Sequence, residues 1–498
     1  MRLDPRPFCS AHPCSVAALR LRDGARVAVI GAGPSGIVAA KHALEARFRV
    51  AVFEASDAVG GQWHTRAAHS GVWPGMHTNT SRAMTAFSDF PAAGLPLHPA
   101  AEQIQAYLDA YARTYGVVEH IRFNTPVDEV RAGWTVDGEP FDAVIVASGR
   151  FRKPRLPPIV DGFRGEVIHA FDYPGARPFR DRPTLVYGNG ISGLEIASDL
   201  APHAPVVSAF RKPRYVIQKV VDGVSSDWQW YTLFGALERR HLPPDEWSRR
   251  QRERIVRVAG NPADFGVPEP SEDVRVAGLS LCQDYLSQVR DGSIACRPGI
   301  ASIQDRTVIF TDGSAETVSA IVCATGYDVD IPYLSDDVSS VIGDELALYQ
   351  RTFHPDLPGL GVIGQFLAQG PYFPLLELQA RWIAAVWSGD VALPGEPRMR
   401  RVRPPLDPHN ALALTLSEEL GVAPEPAGWG DLGEPLLFGP MLPPRYRLSG
   451  PGAQPDARRL LERQLAASPR APVEPADLEA LDGLGREASS AGLGSARA

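Results

Sequence analysis

The chain has 498 residues, 44% hydrophobic and 22% charged, enough for two or three domains with cores of their own. A net charge of −8 offers no basic surface for nucleic acid, and no run of about 18 apolar residues offers a membrane span. Five scattered cysteines, Cys9, Cys14, Cys282, Cys296 and Cys323, suit a reducing cytoplasm. Residues 1–24 read as a loose arm, broken by Pro5, Pro7 and Pro13 and without a secretory apolar stretch. Within it Cys9 and Cys14 are ordinary thiols, and no metal site is expected, because no second pair at zinc spacing follows.

A buried strand is predicted over 26–30, then Gly31-Ala-Gly33-Pro34-Ser35-Gly36, a helix over 37–45, and a second strand over 48–53 that ends at Glu54. This is the βαβ setting a dinucleotide fingerprint needs. The first glycine permits the turn, the second admits a pyrophosphate and the third lets helix and strand pack closely. A carboxylate at Glu54 hydrogen-bonds ribose hydroxyls and repels a 2′-phosphate, so the first unit takes FAD or NAD rather than NADP. At ~5 Å and an effective dielectric of ~20 each unit-charge pair costs roughly 3 kcal/mol. A strand over 142–147 running into Ser148-Gly149 closes this unit.

The plan then repeats. A strand over 183–187 leads to Gly188-Asn-Gly190-Ile-Ser192-Gly193, a helix over 192–200 and a strand over 205–210. Glu54 stands eighteen residues past Gly36, and Arg211 stands eighteen past Gly193. A guanidinium there can fork onto a 2′-phosphate, with Ser208 or Lys212 assisting, so the second unit reads as NADPH. An aromatic, charged insertion spans about 215–270, and 279–289 reads as helix. Asp312-Gly313 reads as a hairpin turn, and a strand over 320–324 runs into Thr325-Gly326-Tyr327. The segment 374–387 reads as an amphipathic helix, and the chain from about Pro472 as a mobile tail. The fold class is therefore α/β, with two Rossmann-like dinucleotide domains of three-layer ββα type. The FAD domain covers 25–170 and 318–445, interrupted by an NADP domain over 171–317. A partly disordered extension covers 446–498.

Further motifs carry a resemblance. Phe163-x-Gly165-x3-His169-x3-Tyr173 follows an FxGxxxHxxx(Y/F) signature just ahead of the second fingerprint. Gly60-Gly61-Gln62-Trp63, Thr78-Asn79-Thr80 with Phe87-Ser-Asp-Phe-Pro91, Ala324-Thr-Gly-Tyr327 and Glu377-Leu-Gln-Ala-Arg-Trp382 accompany it in order. Together they resemble the class B flavin-containing monooxygenases, as a soluble bacterial-type member. The signature ends in Tyr173-Pro174, nearer the heteroatom-oxidising branch than the Baeyer–Villiger one. The hydrophobic C-terminal anchor of microsomal relatives is missing.

The resemblance implies a cycle in which NADPH reduces FAD, O2 adds to form a C4a-hydroperoxyflavin, and one oxygen atom passes to a soft nitrogen or sulfur nucleophile. It implies that Asn79 lies beside flavin and nicotinamide and helps hold the oxygenated state. It places Gln62, Trp63, Val127 and Gln365 on FAD, and Thr78, Tyr173, Ser192 and Arg211 near NADP. His169 is expected to shape the inter-domain turn rather than move protons. Trp228 and Trp230 line a substrate path or plug the insertion. The partners implied are a small nucleophilic substrate and O2, and a homodimer is allowed. Alternatives are Baeyer–Villiger oxidation of a ketone, a non-catalytic flavin scaffold and an uncoupled NADPH oxidase. A disulfide reductase would need a cysteine pair after a fingerprint, and none follows.

Overall fold

The computed structural model describes residues 20–65, 70–343, 346–400 and 406–467. Cys9, Cys14, most of the N-terminal arm and the tail from 468 lie outside the described residues. Alternating Val and Ala make β1 (Arg26–Ile30) a strand buried on both faces. It leads through the glycine turn into α1 (Pro34–Glu45) and β2 (Arg49–Phe53). In the first sheet β1 is central, with β2 and then β3 (Ile121–Arg122) on one side. On the other side lies β4 (Ala143–Val146), and the fifth strand comes from late in the chain. All pairings in this sheet are parallel.

The second sheet repeats this plan with β5 (Glu166–His169), β6 (Thr184–Tyr187), β7 (Val206–Ala209), β8 (Ile294–Arg297) and β9 (Ala320–Cys323). Its order is β8-β7-β6-β9-β5, again all parallel, and α2 (Ile191–Leu200) follows the fingerprint strand β6. The late strand of the first sheet is β10 (Leu360–Val362). Each fingerprint strand thus sits where the strand order reverses, the place where an open α/β sheet forms a ligand crevice at its carboxyl edge.

Several boundaries differ from the sequence reading. Strand β5 pairs with β9, His169 opposite Cys323, and both lie in the second sheet, so the exchange points fall outside 170 and 318. A short strand buried on both faces, as β9 is, fits either sheet, and the choice is a long-range pairing. Residues 279–289 are not one helix: Leu279–Leu281 is a strand beside Tyr215–Ile217, and only Tyr285–Arg290 is helical. The insertion is helical in part, as α3 (Leu233–His241) and α4 (Pro244–Ala259), with short strands before them.

Helix α5 (Phe373–Ser388) has no solvent face, since all but its last residue are buried. Its polar side chains are buried because each is paired. Glu377 accepts from the Ser88 backbone N–H at 2.7 Å and from Arg447 at 2.7 Å. Gln379 donates to Thr352 and accepts from the Gly364 N–H, and Arg381 donates to the carbonyls of Tyr446 and Pro451. Arg447 is 3% exposed, so the chain just past 445 is core rather than extension.

Candidate functional site

The six fingerprint glycines divide by what surrounds them. A β-carbon on Gly31 would lie 2.8 Å from the Ala147 carbonyl oxygen, and one on Gly188 would lie 2.3 Å from that of Ala324. At Gly36 and Gly193 it would come within 1.8 and 2.0 Å of the oxygens of Gly31 and Gly188. These four glycines are demanded by the protein itself. At Gly190 a β-carbon would meet nothing within 4 Å, so that glycine keeps space clear for something else. Gly33 faces the backbone of Gly61, whose own β-carbon would lie 2.9 Å from the Gly33 Cα, so the Gly60-Gly61 element closes over the first turn. Helices α1 and α2 start at Gly33 and Gly190 without a side-chain cap or an acid in the first turn. Their free N–H groups and positive dipole ends suit phosphate.

Glu54 is 6% exposed and holds the first turn, accepting from the Ala32 N–H at 2.6 Å, the Ser56 N–H at 2.8 Å and the Ser56 hydroxyl. Arg211, in the same position after β7, is exposed, and its side chain makes no hydrogen bond or ion pair among the described residues. Asn189, inside the second fingerprint, donates to the Lys212 carbonyl at 2.6 Å and ties this loop to the glycine turn. Ser208 cannot assist Arg211, because its side chain is fully buried and accepts from the Tyr285 hydroxyl.

Both fingerprints open onto one cavity of about 510 Å3. Gly31, Gly33, Pro34 and Ser35 border it from the first unit, and Ser192 with Ile191 from the second. Glu54, Gln62, Trp63 and Val127 line it, as do Thr78 and Asn79. The Asn79 Oδ1 is buried without a partner, an orphan that a bound group would satisfy. Its loop is fixed by the Thr78 hydroxyl donating to the Thr80 carbonyl at 2.7 Å. Gln365 stands behind the lining: its amide donates to the Gly149 carbonyl at 2.8 Å, and its buried Oε1 also lacks a partner. Open space over Gly190, two uncapped helix starts and two orphan amide oxygens fit a dinucleotide at each fingerprint.

The shared motifs touch one another. Ser88 and Asp89 of the Phe87–Pro91 segment meet Glu377, Lys41 and Arg447, and Phe87 stacks on Phe373. Phe163 fills the space beside Gly165, where a β-carbon would lie 2.4 Å from its ring. His169 accepts from the Phe171 N–H at Nδ1 and therefore donates from Nε2 to the Gly326 carbonyl at 3.0 Å. Burial lowers its pKa, so it is a neutral brace between signature and ATGY turn.

Tyr173, expected near NADP, does not line the cavity. It is 3% exposed, stacks on Phe179 and donates to the Asp199 carboxylate at 2.6 Å. Burial and that carboxylate raise its pKa, and it is a core residue of the second domain. Trp228 and Trp230 do not line the cavity: Trp228 donates to the Ser81 hydroxyl at 2.8 Å, and both pack beside Met84 and Leu432. From the same segment it is Tyr231 that faces the cavity. The sequence reading also missed Arg150 and Tyr372, which border it. Arg150 directly follows the Ser148-Gly149 strand end, and that adjacency was the available signal. Among the described residues no three His, Cys, Asp or Glu side chains gather as a metal site needs, and no helix is long and apolar enough to cross a membrane.

Residues 24–402 match the model of the family described as flavin-binding monooxygenase-like. The chain is 28% identical to human putative dimethylaniline monooxygenase [N-oxide-forming] 6, over 88% of this chain and 92% of that protein. It is 30% identical to flavin-containing monooxygenase 3 of Macaca mulatta, over 89% and 92%. Among solved structures, S-allyl-L-cysteine S-oxygenase from Allium sativum shares the fold at a TM-score of 0.54, with 21% identity over 94% of this chain and 93% of that one. Cyclohexanone monooxygenase from Rhodococcus sp. Phi1, bound to NADP+, does so at 0.55, with 18% identity over 89% and 97%.

Proposed function

The chain belongs to the flavin-binding monooxygenase-like family, and from that premise we propose an NADPH-dependent flavoenzyme that transfers one oxygen atom from O2 to a soft nitrogen or sulfur nucleophile. The observation that carries this reading is the single cavity bordered by both fingerprints. A donor dinucleotide at α2 and a flavin dinucleotide at α1 would meet in one shared space. FAD is the resident group at the first fingerprint, where Glu54 suits ribose hydroxyls, and Arg211 favours NADPH at the second. The names of the mammalian relatives, N-oxide-forming among them, support a heteroatom as acceptor.

When bound and reduced, the flavin supplies the activation of O2. The chain's residues supply position and dryness. The N-termini of α1 and α2 hold the phosphates. Asn79 presents a carboxamide that donates and accepts without titrating, so it serves a charged or neutral neighbour alike. Gln365 fixes the Gly149 carbonyl and with it the end of β4. Trp63, Phe171, Tyr231 and Phe373 wall the cavity with rings that keep water from the reacting atoms. The scattered cysteines support a reducing, cytoplasmic setting for the enzyme.

The test is a turnover screen of the FAD-loaded protein with thioethers, tertiary amines and cyclic ketones, following NADPH, O2 and product mass. The expected result is a sulfoxide or N-oxide formed in step with NADPH consumption. Lactone as the sole product would replace the proposal with Baeyer–Villiger oxidation, and H2O2 alone with an uncoupled oxidase.

A further inference from the structure

Arg150 borders the cavity beside Gly149, half-buried, and its guanidinium makes no hydrogen bond or ion pair among the described residues. The ionisable groups that act on it are Tyr372 and a second cation, Arg351, and burial lowers its pKa. An arginine carries five donors, and leaving them unmet in a half-buried place is costly. Around it the lining is aromatic, with Phe151 edge-on to both Tyr327 and Tyr372. Arg152 borders the same rim, while Glu54, the one carboxylate in the lining among the described residues, is turned onto Ala32 and Ser56. The charged lining therefore favours an anion.

We propose that Arg150 is a specificity-determining residue that receives a carboxylate of the substrate, so that the preferred acceptors are thioethers or amines bearing an acid group on an apolar frame. Phosphates of the two dinucleotides have their own donors at the starts of α1 and α2, and Arg150 belongs to neither helix. With Tyr372 near enough to act on its charge and Phe151 next to it in the chain, both in the lining, Arg150 suits a small organic acid whose apolar part lies on those two rings. This rests on the heteroatom reading above, and its test separates the two.

Calorimetric binding of (phenylthio)acetate and of its neutral amide to the FAD-loaded protein needs no turnover. The wild type should prefer the acid by roughly 10- to 100-fold, the range for a charge-assisted pair. Arg150→Gln should abolish the preference, and Arg150→Lys should keep part of it, with FAD content confirming the fold of each. The same pair in turnover should show the matching change in the ratio of kcat/KM. Equal binding of acid and amide by the wild type overturns the proposal even if both are oxygenated. So does an unchanged preference in Arg150→Gln accompanied by a raised KM for NADPH, which gives the guanidinium to a dinucleotide phosphate. Acid-selective binding with no oxygenation of any thioether or amine keeps the subsite and overturns the heteroatom reading instead.

Discussion

Replacing Arg211 with alanine tests the assignment of the second dinucleotide. Arg211 follows β7 in the position Glu54 holds after β2, and its side chain is exposed and spends no bond on the protein. Two unit charges ~4 Å apart attract by about 4 kcal/mol at an effective dielectric near 20, but by about 1 kcal/mol in bulk water. An exposed guanidinium lies toward the water limit, so about 1.5–2.5 kcal/mol is expected, roughly a 10- to 60-fold change. NADH lacks the 2′-phosphate and should lose almost nothing. Steady-state KM values for both nicotinamides, in wild type and Arg211→Ala, give the ratio that isolates this phosphate. The wild-type preference for NADPH should also weaken between about 0.01 M and about 0.15 M ionic strength, while the variant's should not. An equal rise of KM for NADPH and NADH would refute the reasoning, because it would mean the side chain supports the loop rather than the phosphate.

The remaining predictions probe other parts of the cavity. Gly190→Ala should fold normally, since its β-carbon meets nothing within 4 Å, yet raise the KM for NADPH. Gly193→Ala would set a β-carbon 2.0 Å from the Gly188 oxygen and should lose roughly 3 kcal/mol or more of stability, read from urea melts. Asn79→Ala should keep FAD content but release more H2O2 per NADPH consumed; unchanged coupling would remove Asn79 from the oxygen-transfer step. His409 is fully buried, donates to the Pro371 carbonyl at 2.7 Å, and burial pushes its pKa down to about 4 from 6.5. The unfolded chain therefore binds the extra proton between those values, and stability falls as pH drops through that window, by roughly 3 kcal/mol from this residue. His409→Gln should flatten the pH dependence of the urea midpoint there, and an unchanged slope would mean that the ring titrates normally in the fold.

What the sequence made legible is what short-range geometry dictates. The two glycine turns and the acid and base after them follow from register along a few dozen residues, and the structure places each of them in its βαβ unit. Tyr173 shows where this ends. Its position in a signature suggested cofactor contact, but whether an aromatic ring turns inward or toward a cavity depends on a partner elsewhere, and here Asp199 takes its hydroxyl. The same holds for β9, whose four buried residues fit either sheet until β6 and β5 pair with it.

Helix α5 gives the physical reason in its sharpest form. Glu377 and Arg381 stand four residues apart on one face of a segment that reads as an amphipathic helix, because a charge in a sequence is normally a charge in water. Burial of Glu377 instead depends on Arg447, seventy residues on, and on Ser88, 289 residues back. Removing one partner would leave an uncompensated buried charge, a loss of about 3–5 kcal/mol. The Phe87–Pro91 and Glu377–Trp382 segments therefore belong together: Ser88, Glu377 and Arg447 pin α5 to the loop that carries Asn79, and so fix the wall of the cavity in which the carboxamide of Asn79 must stand.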